Sequence, residues 1–366
     1  MIYLHVPFCR SFCTYCDFYS EIACKGKDDA AMARWADEVC AEIAARREEI
    51  VSTLDLDTLY IGGGTPSVLP LSVLRQILDR LNTIRDGQRH HSYTEFTIEV
   101  NPEDIIERGP EYVQGLLDLG VTRISMGVQS LDDGILRWMN RRHSADSARK
   151  AFRILQGSAV SIDLITGVPG MTEEILEKTL EEVISWRPEH ISAYQLSIEE
   201  GSALAKMIDE GRVTELGEEE CRAQYELMCR RLAEAGYRHY EISNWALPGH
   251  EAVHNSAYWT RHPYAGLGPG AHSLIFYDAA LHPRRAKGRF RATEKAARIP
   301  ALPVRKLPLQ RRSWNSQQLS GWTSEGENLS PEEIHEEEVM LLARTALGPI
   351  PEKDWFIADD IIPDLL

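Results

Sequence analysis

The chain alternates short, apolar, β-rich runs with longer stretches whose apolar residues recur at helical spacing. The runs are IYLHV (2–6), TLYIG (58–62), EFTIEV (95–100), RISMGV (123–128), SIDLI (161–165) and HISAYQL (190–196). Between them the periodicity predicts helices over 29–50, 69–84, 110–118, 132–155 with a break near Ser144, and 173–186; another, 217–235, follows the sixth run. In the first, Met32, Trp35, Ala36, Val39, Cys40 and Ile43 share one stripe, as a core-facing helix requires. Six strands, each followed by a helix, read as parallel βα units with right-handed crossovers. The predicted fold is therefore α/β, a partial (β/α)6 barrel rather than a complete eight-unit one.

Beyond Gly236 the period is lost in the aromatic, glycine-rich segment YRHYEISNWALPGHEAVHNSAYWTRHPYAGLGPGAHS. A basic, Pro-containing stretch follows to about 312, and PEEIHEEEVMLLART (331–345) reads as an amphipathic helix. The expected organisation is a barrel over 1–236, an extension over 237–320 that contains the basic stretch, and a small helical C-terminal accessory domain over 321–366.

Non-periodic residues gather just after each predicted strand. Cys9–Cys16 follow the first, Gly62-Gly63-Gly64-Thr65-Pro66 the second, and Glu99-Val100-Asn101-Pro102 closes the third. Gly127-Val128-Gln129-Ser130 follows the fourth, Asp163 and Gly167-Val168-Pro169-Gly170 end the fifth, and Ser197-Ile198-Glu199-Glu200-Gly201 follows the sixth. In parallel α/β folds the C-terminal strand ends share one face, where ligands bind. Polar and glycine-rich residues at all six ends predict a single site there.

Composition narrows the class. With 43% hydrophobic and 26% charged residues the 366-residue chain is that of an ordinary soluble protein, and no window approaches the 18 apolar residues of a membrane span. MIYLHVPFC has neither a basic leader region nor room for an apolar one before Cys9, so no secretory signal is expected. Seven cysteines, an odd count and scattered outside the first group, argue against a disulfide framework and for a reducing, cytoplasmic location. A net charge of −16 disfavours nucleic-acid binding. That average conceals eleven Lys or Arg against one acid, Glu294, between Arg284 and Arg312.

Three of the cysteines, Cys9, Cys13 and Cys16, follow a C-x3-C-x2-C spacing. Thiolates suit zinc, copper(I) and iron–sulfur clusters. A structural zinc would need a fourth ligand, for which His5 is a candidate. A cubane held by three cysteines leaves one iron open to a small molecule. The third alternative is three buried structural thiols. Phe8, Phe12, Tyr15 and Phe18 could shield a cluster from water or simply pack the loop. Cys24, Cys40, Cys221 and Cys229 lack metal-like grouping with the trio.

The motifs YLHVPFCRSFCTYCDF, YIGGGTPS, IEVNP, RISMGVQS and IDLITGVPG together resemble the radical S-adenosylmethionine (SAM) family, in the branch of oxygen-independent coproporphyrinogen III oxidase and its heme-chaperone relatives. The likeness covers roughly residues 1–273 and 311–348. It implies a [4Fe-4S] cluster on Cys9, Cys13 and Cys16, with SAM chelating the open iron. Gly63 and Gly64 would let backbone carbonyls approach the SAM ammonium. By the same resemblance Thr65, Glu99, Gln129, Arg141 and Asp163 contact SAM, and Tyr3, Tyr15 and Phe18 lie beside it or the cluster. Carboxylates inside apolar strands, as Glu99 and Asp163 are, require partners in any case.

Within the branch, the oxidase pattern has a further cysteine two positions beyond the third; here that position is Phe18. It also has a longer segment before the cluster, where this chain has eight residues. Both departures favour the chaperone over decarboxylation in porphyrin biosynthesis. His254-Asn255-Ser256-Ala257-Tyr258-Trp259 matches an H-N-x-x-Y-W pattern of the chaperone relatives, which makes His254 a candidate heme ligand walled by Tyr258 and Trp259. The implied partners are heme and heme-acceptor proteins such as membrane respiratory enzymes, with homodimerisation compatible with the surface. Against the family pattern the stretch at about 275–310 is an insertion. Its cations could attract heme propionates, acidic lipids or an acidic partner, or form a solvated loop.

Overall fold

A computed structural model describes residues 1–23, 28–85, 92–277 and 309–365. Its strands, in chain order, are β1 (Ile2–Val6), β2 (Phe8–Cys9), β3 (Glu21–Ile22), β4 (Thr58–Gly63), β5 (Glu95–Val100), β6 (Arg123–Gln129) and β7 (Val160–Thr166). There follow β8 (His190–Gln195), β9 (Arg238–Glu241), β10 (Asn244–Ala246), β11 (Ala265–Leu267), β12 (His272–Tyr277), β13 (Leu309–Asn315) and β14 (Ser324–Leu329). The six predicted strands are β1, β4, β5, β6, β7 and β8. They run parallel in that order through the centre of a nine-stranded sheet. Their side chains are buried on both faces, which explains why they read as near-continuous apolar runs. The fold is the α/β partial barrel with six βα units that the periodicity predicts.

The helices sharpen the expectation. The first breaks at Arg46 into Asp29–Ala45 and Arg47–Ser52. The Arg46 side chain bonds Glu42 and Glu49 and reaches the Gly266 carbonyl at 2.7 Å. The helix expected at 110–118 begins at Pro102, because Asn101 caps it by accepting from Glu103 N at 3.0 Å. A kink at Gly109 (φ 71°), just before Pro110, hides the continuity from a periodicity reading. The break near Ser144 separates Asp133–Trp138 from Ala145–Leu155, and Ser144 caps the second by accepting from Ser147 N.

The sheet does not end at residue 236. β10 pairs antiparallel with β8 and with β9 at one edge, and β11 pairs parallel with β1 at the other. β10 and β11 have three residues each, all buried, too short to show a period. β12, β13 and β14 form a separate antiparallel sheet, and the helix Pro331–Leu342 opens with a Ser330–Glu333 capping box. A second small core of Ala343, Ile350, Trp355, Ala358 and Ile362 closes the C-terminal segment. Cys24 and nearly all of the basic stretch lie outside the described residues. No helix of the described residues is long and apolar enough to cross a membrane.

Candidate functional site

All six C-terminal strand ends open on one cavity of about 810 Å³. The cysteine loop after β1 lines it with Cys9, Cys13, Tyr15, Cys16 and Phe18; β4 gives Tyr60, Gly63, Gly64 and Thr65. β5 contributes Glu99 and, just past its end, Asn101; β6 gives Gly127 and Gln129, and β7 Asp163. Tyr194 to Ser197 line it at the end of β8, and Arg141 and Arg142 come from the turn between the two helices that follow β6. The convergence expected from six separate motifs is therefore real in space.

Cys9, Cys13 and Cys16 are free, half-buried thiols facing that space. Among the described residues no three His, Cys, Asp or Glu side chains converge closely enough to hold one metal ion. Three thiols facing one open cavity leave room for the multinuclear centre that the resemblance implies, whereas a structural zinc site closes with four protein ligands. His5 is not a spare fourth ligand. Its Nε2 bonds the Tyr19 carbonyl at 2.8 Å and its Nδ1 the Tyr3 hydroxyl at 3.0 Å. Burial raises the Cys9 thiol and pushes Cys16 up to about 12, so bare thiolates are disfavoured here. A bound metal centre reverses that preference. Charge compensation is already present: Arg141 Nη1 donates to Cys13 Sγ at 3.4 Å. Burial opposes the Arg141 charge, but Tyr15 and Cys13 beside it more than offset this and raise its value. Its Nε is buried with no hydrogen-bond partner among the described residues.

The glycines of GGGTP are required by close approach. Gly63 has φ 105°, and a Cβ there would stand 2.7 Å from the His5 ring. At Gly64 it would meet the Phe8 and Val6 carbonyls at 2.8 and 2.9 Å and Cys9 Sγ at 3.1 Å. Next to them Thr65 Oγ1 lies 3.4 Å from Cys9 Sγ. On β6 the register with β7 shifts between Gly127 and Gln129, and Gln129 takes a left-handed φ of 64°. This bulge aims the Gln129 amide into the cavity instead of along the ladder.

Glu99 accepts from the Tyr60 hydroxyl at 2.8 Å, and burial pushes its carboxyl up to about 7. Asp163 is pushed up to about 6 by burial, although serine hydroxyls work against it. Ser125 donates to both its oxygens at 2.9 Å, and the register sets Ser161 opposite Ser125 and Ser192 opposite Asp163. Two carboxyls poised near neutrality in one cavity are prepared for a cationic ligand.

Two expected residues lie elsewhere. Tyr3 does not line the cavity; it sits behind it, its ring stacked on Tyr60 at 6.2 Å and its hydroxyl on His5. His254, expected as a heme ligand, is fully buried at the opposite, N-terminal end of the strands. Its Nδ1 bonds Thr58 Oγ1 at 2.8 Å and its Nε2 the Tyr258 hydroxyl at 3.0 Å, so neither nitrogen faces a ligand. Burial lowers its value to about 3, keeping it neutral. Sequence reasoning overlooked Tyr60 and the serines around Asp163. The signal was available: polar residues at alternate positions of otherwise apolar strands.

Residues 3–183 match the model of the Radical SAM superfamily. The heme chaperone HemW of Mycobacterium tuberculosis is 36% identical over 284 residues, 75% of this chain and 69% of that protein. Heme chaperone HemW of Synechocystis is 33% identical over 357 residues, 94% of this chain and 78% of that one. Among solved structures, the radical SAM enzyme HemN of Escherichia coli, a coproporphyrinogen III oxidase, matches with a TM-score of 0.69 at 19% identity. The match spans 93% of this chain and 74% of that one and is a likeness of fold.

Proposed function

The chain belongs to the radical SAM superfamily, in the group of the heme chaperone HemW, and from that premise we propose that it binds a [4Fe-4S] cluster, SAM and heme and delivers the heme to acceptor proteins. The observation that carries this reading is that relatives named heme chaperones match three-quarters or more of the chain, while its cysteine trio opens on the one cavity shared by all six strand ends.

In this reading Cys9, Cys13 and Cys16 hold the cluster. When bound, cluster and SAM together supply one-electron cleavage of the sulfonium. Arg141 balances thiolate charge through Cys13, and its free Nε remains to meet the ligand. Gly63 and Gly64 admit a ligand ammonium to backbone carbonyls. Glu99 and Asp163, raised by burial to about 7 and about 6, are drawn fully into the ionised form by a cationic ligand and hold it. Thr65 and Gln129 supply neutral hydrogen bonds, and Tyr15, packed against the core, covers the thiols on one side. His254 is left a structural role, so the heme reading does not rest on it.

Phe18 favours delivery over decarboxylation, since this residue, 62% exposed, stands where the oxidase pattern has a cysteine. The test is done anaerobically on the reconstituted protein. Hemin is titrated by absorbance and then offered to an apo heme protein, and coproporphyrinogen III is incubated with SAM and dithionite. Hemin binding and transfer with an unchanged tetrapyrrole mass are expected. Loss of two carboxyl groups would replace the chaperone with a coproporphyrinogen dehydrogenase.

A further inference from the structure

Two arginines on the cavity wall have no part in the roles given above. Arg10 lies between Cys9 and Cys13, and Arg142 follows Arg141; both line the cavity. Their guanidinium groups converge on one oxygen. Arg10 Nε stands 3.5 Å from Asp104 Oδ1, and Arg142 Nη1 donates to the same atom at 3.1 Å. The other Asp104 oxygen accepts from Ser67 Oγ at 2.7 Å, and the Asp104 side chain is wholly buried. Glu107 lies 4.0 Å from Arg142 Nη2, beyond hydrogen-bond length. Arg10 Nε has no hydrogen-bond partner among the described residues.

Asp104 thus fixes two cations that are only 16% and 19% exposed, and Glu107 stands at ion-pair distance from Arg142. Like charges held this close repel, and poorly solvated guanidinium groups leave donors unfilled. An anion in the cavity would answer the donor that Arg10 Nε leaves unfilled. Three large aromatic side chains line the same cavity and are uncovered: Phe12, Phe18 and Tyr194 are 52%, 62% and 43% exposed, among polar residues such as Ser11, Asp17 and Glu199. Large aromatic side chains grouped around one mouth mark a binding surface. Aromatic faces beside a guanidinium pair fit a flat, apolar body that carries carboxylates.

We propose that Arg10 and Arg142, positioned by Asp104, receive the propionate carboxylates of a heme lodged against Phe12, Phe18 and Tyr194 at the cavity mouth. This rests on the heme-binding reading above and adds where and by which group heme is held. An amino-acid carboxylate such as that of SAM has the same chemistry, and the test separates the two.

The R10Q, R142Q and double variants, each cluster-loaded and matched for melting temperature, are titrated with hemin, hemin dimethyl ester and, separately, SAM. Each single variant should bind hemin about tenfold more weakly, the loss of one charge-assisted contact. Affinity for the ester and for SAM should be unchanged. The rim variant F18A should weaken hemin and ester by a common factor. Unchanged hemin affinity in the double variant overturns the proposal, as does an equal loss for hemin and ester. A loss confined to SAM gives the pair to the cofactor and overturns the assignment to heme. Wild-type protein that binds no hemin removes the heme-binding reading itself, a result distinct from all of these.

Discussion

The two ends of the central sheet bury similar residues and treat them in opposite ways. At the N-terminal end Glu95 accepts from Val253 N and His254 N at 2.9 Å each and pairs with Arg123 at 3.2 Å. His254 has both nitrogens bonded, and His190 bonds Ser161 and Tyr240 at 2.7 Å each. At the C-terminal end Arg141 Nε is buried with no hydrogen-bond partner among the described residues, Gln129 is held in a left-handed conformation, and burial raises both Glu99 and Asp163. Burial alone therefore does not mark a site. The low value of His254 and the Nε and Nη1 donors of Arg123, unmet among the described residues, show that neither feature alone marks a site; what points to a ligand is their collection around one open cavity.

The sharpest way to break this contrast is to remove ligands from one end and packing from the other. Substituting Ala for any one of Cys9, Cys13 or Cys16 should abolish most iron and sulfide incorporation after anaerobic reconstitution while leaving the fold intact, because the thiols are half-buried and bonded only weakly to the protein. Iron retained at the wild-type level in all three variants would remove the trio from the cluster. His254→Ala should do the reverse. It strips Thr58 and Tyr258 of a shared partner and leaves a hole in a fully buried layer, costing about 2–4 kcal/mol in denaturant unfolding. Iron content per folded molecule should not change. If instead the hemin spectrum changed and stability did not, the scaffold role of His254 would be wrong.

How much of this was legible beforehand depends on the length and exclusivity of each signal. The six parallel strands were readable to within a residue or two because strands buried on both faces leave continuous apolar runs. The site was readable because glycines, cysteines and acids interrupt those runs at the same end each time. β10 and β11 were not, since three buried residues carry no period. The helix start at Pro102 was masked because Asn101-Pro102 closes a strand and caps a helix in the same two residues. His254 misled for a specific reason. It was singled out by the H-N-x-x-Y-W resemblance, and that pattern on one short helix also allows a His254–Tyr258 hydrogen bond in a buried layer, which the position of Thr58 completes. Tyr60 went unnoticed between Leu59 and Ile61 because its partner, Glu99, is far away in sequence.

The smallest predicted effect tests the contrast most directly, because it concerns one proton. Glu99 is raised from 4.5 to about 7, chiefly by burial. The folded protein thus binds that proton more tightly than the unfolded chain does. The stability it contributes is complete below the unfolded value and is lost as pH rises through 7. Glu99→Gln keeps the neutral shape and removes the titration, so between pH 5 and pH 8 wild type should lose about 1–2 kcal/mol more stability than the variant. The figure stays below the full shift because the carboxyl faces an open cavity. Asp163, raised to about 6, is present in both proteins, and its charge is one of the smaller contributions to the Glu99 shift. Saturating SAM should shrink the gap, since a cation beside Glu99 favours the ionised form and brings its value back down. Parallel pH profiles for the two proteins would mean that Glu99 is as well satisfied as Glu95, and the distinction between the two ends would then rest on Arg141 and the thiols alone.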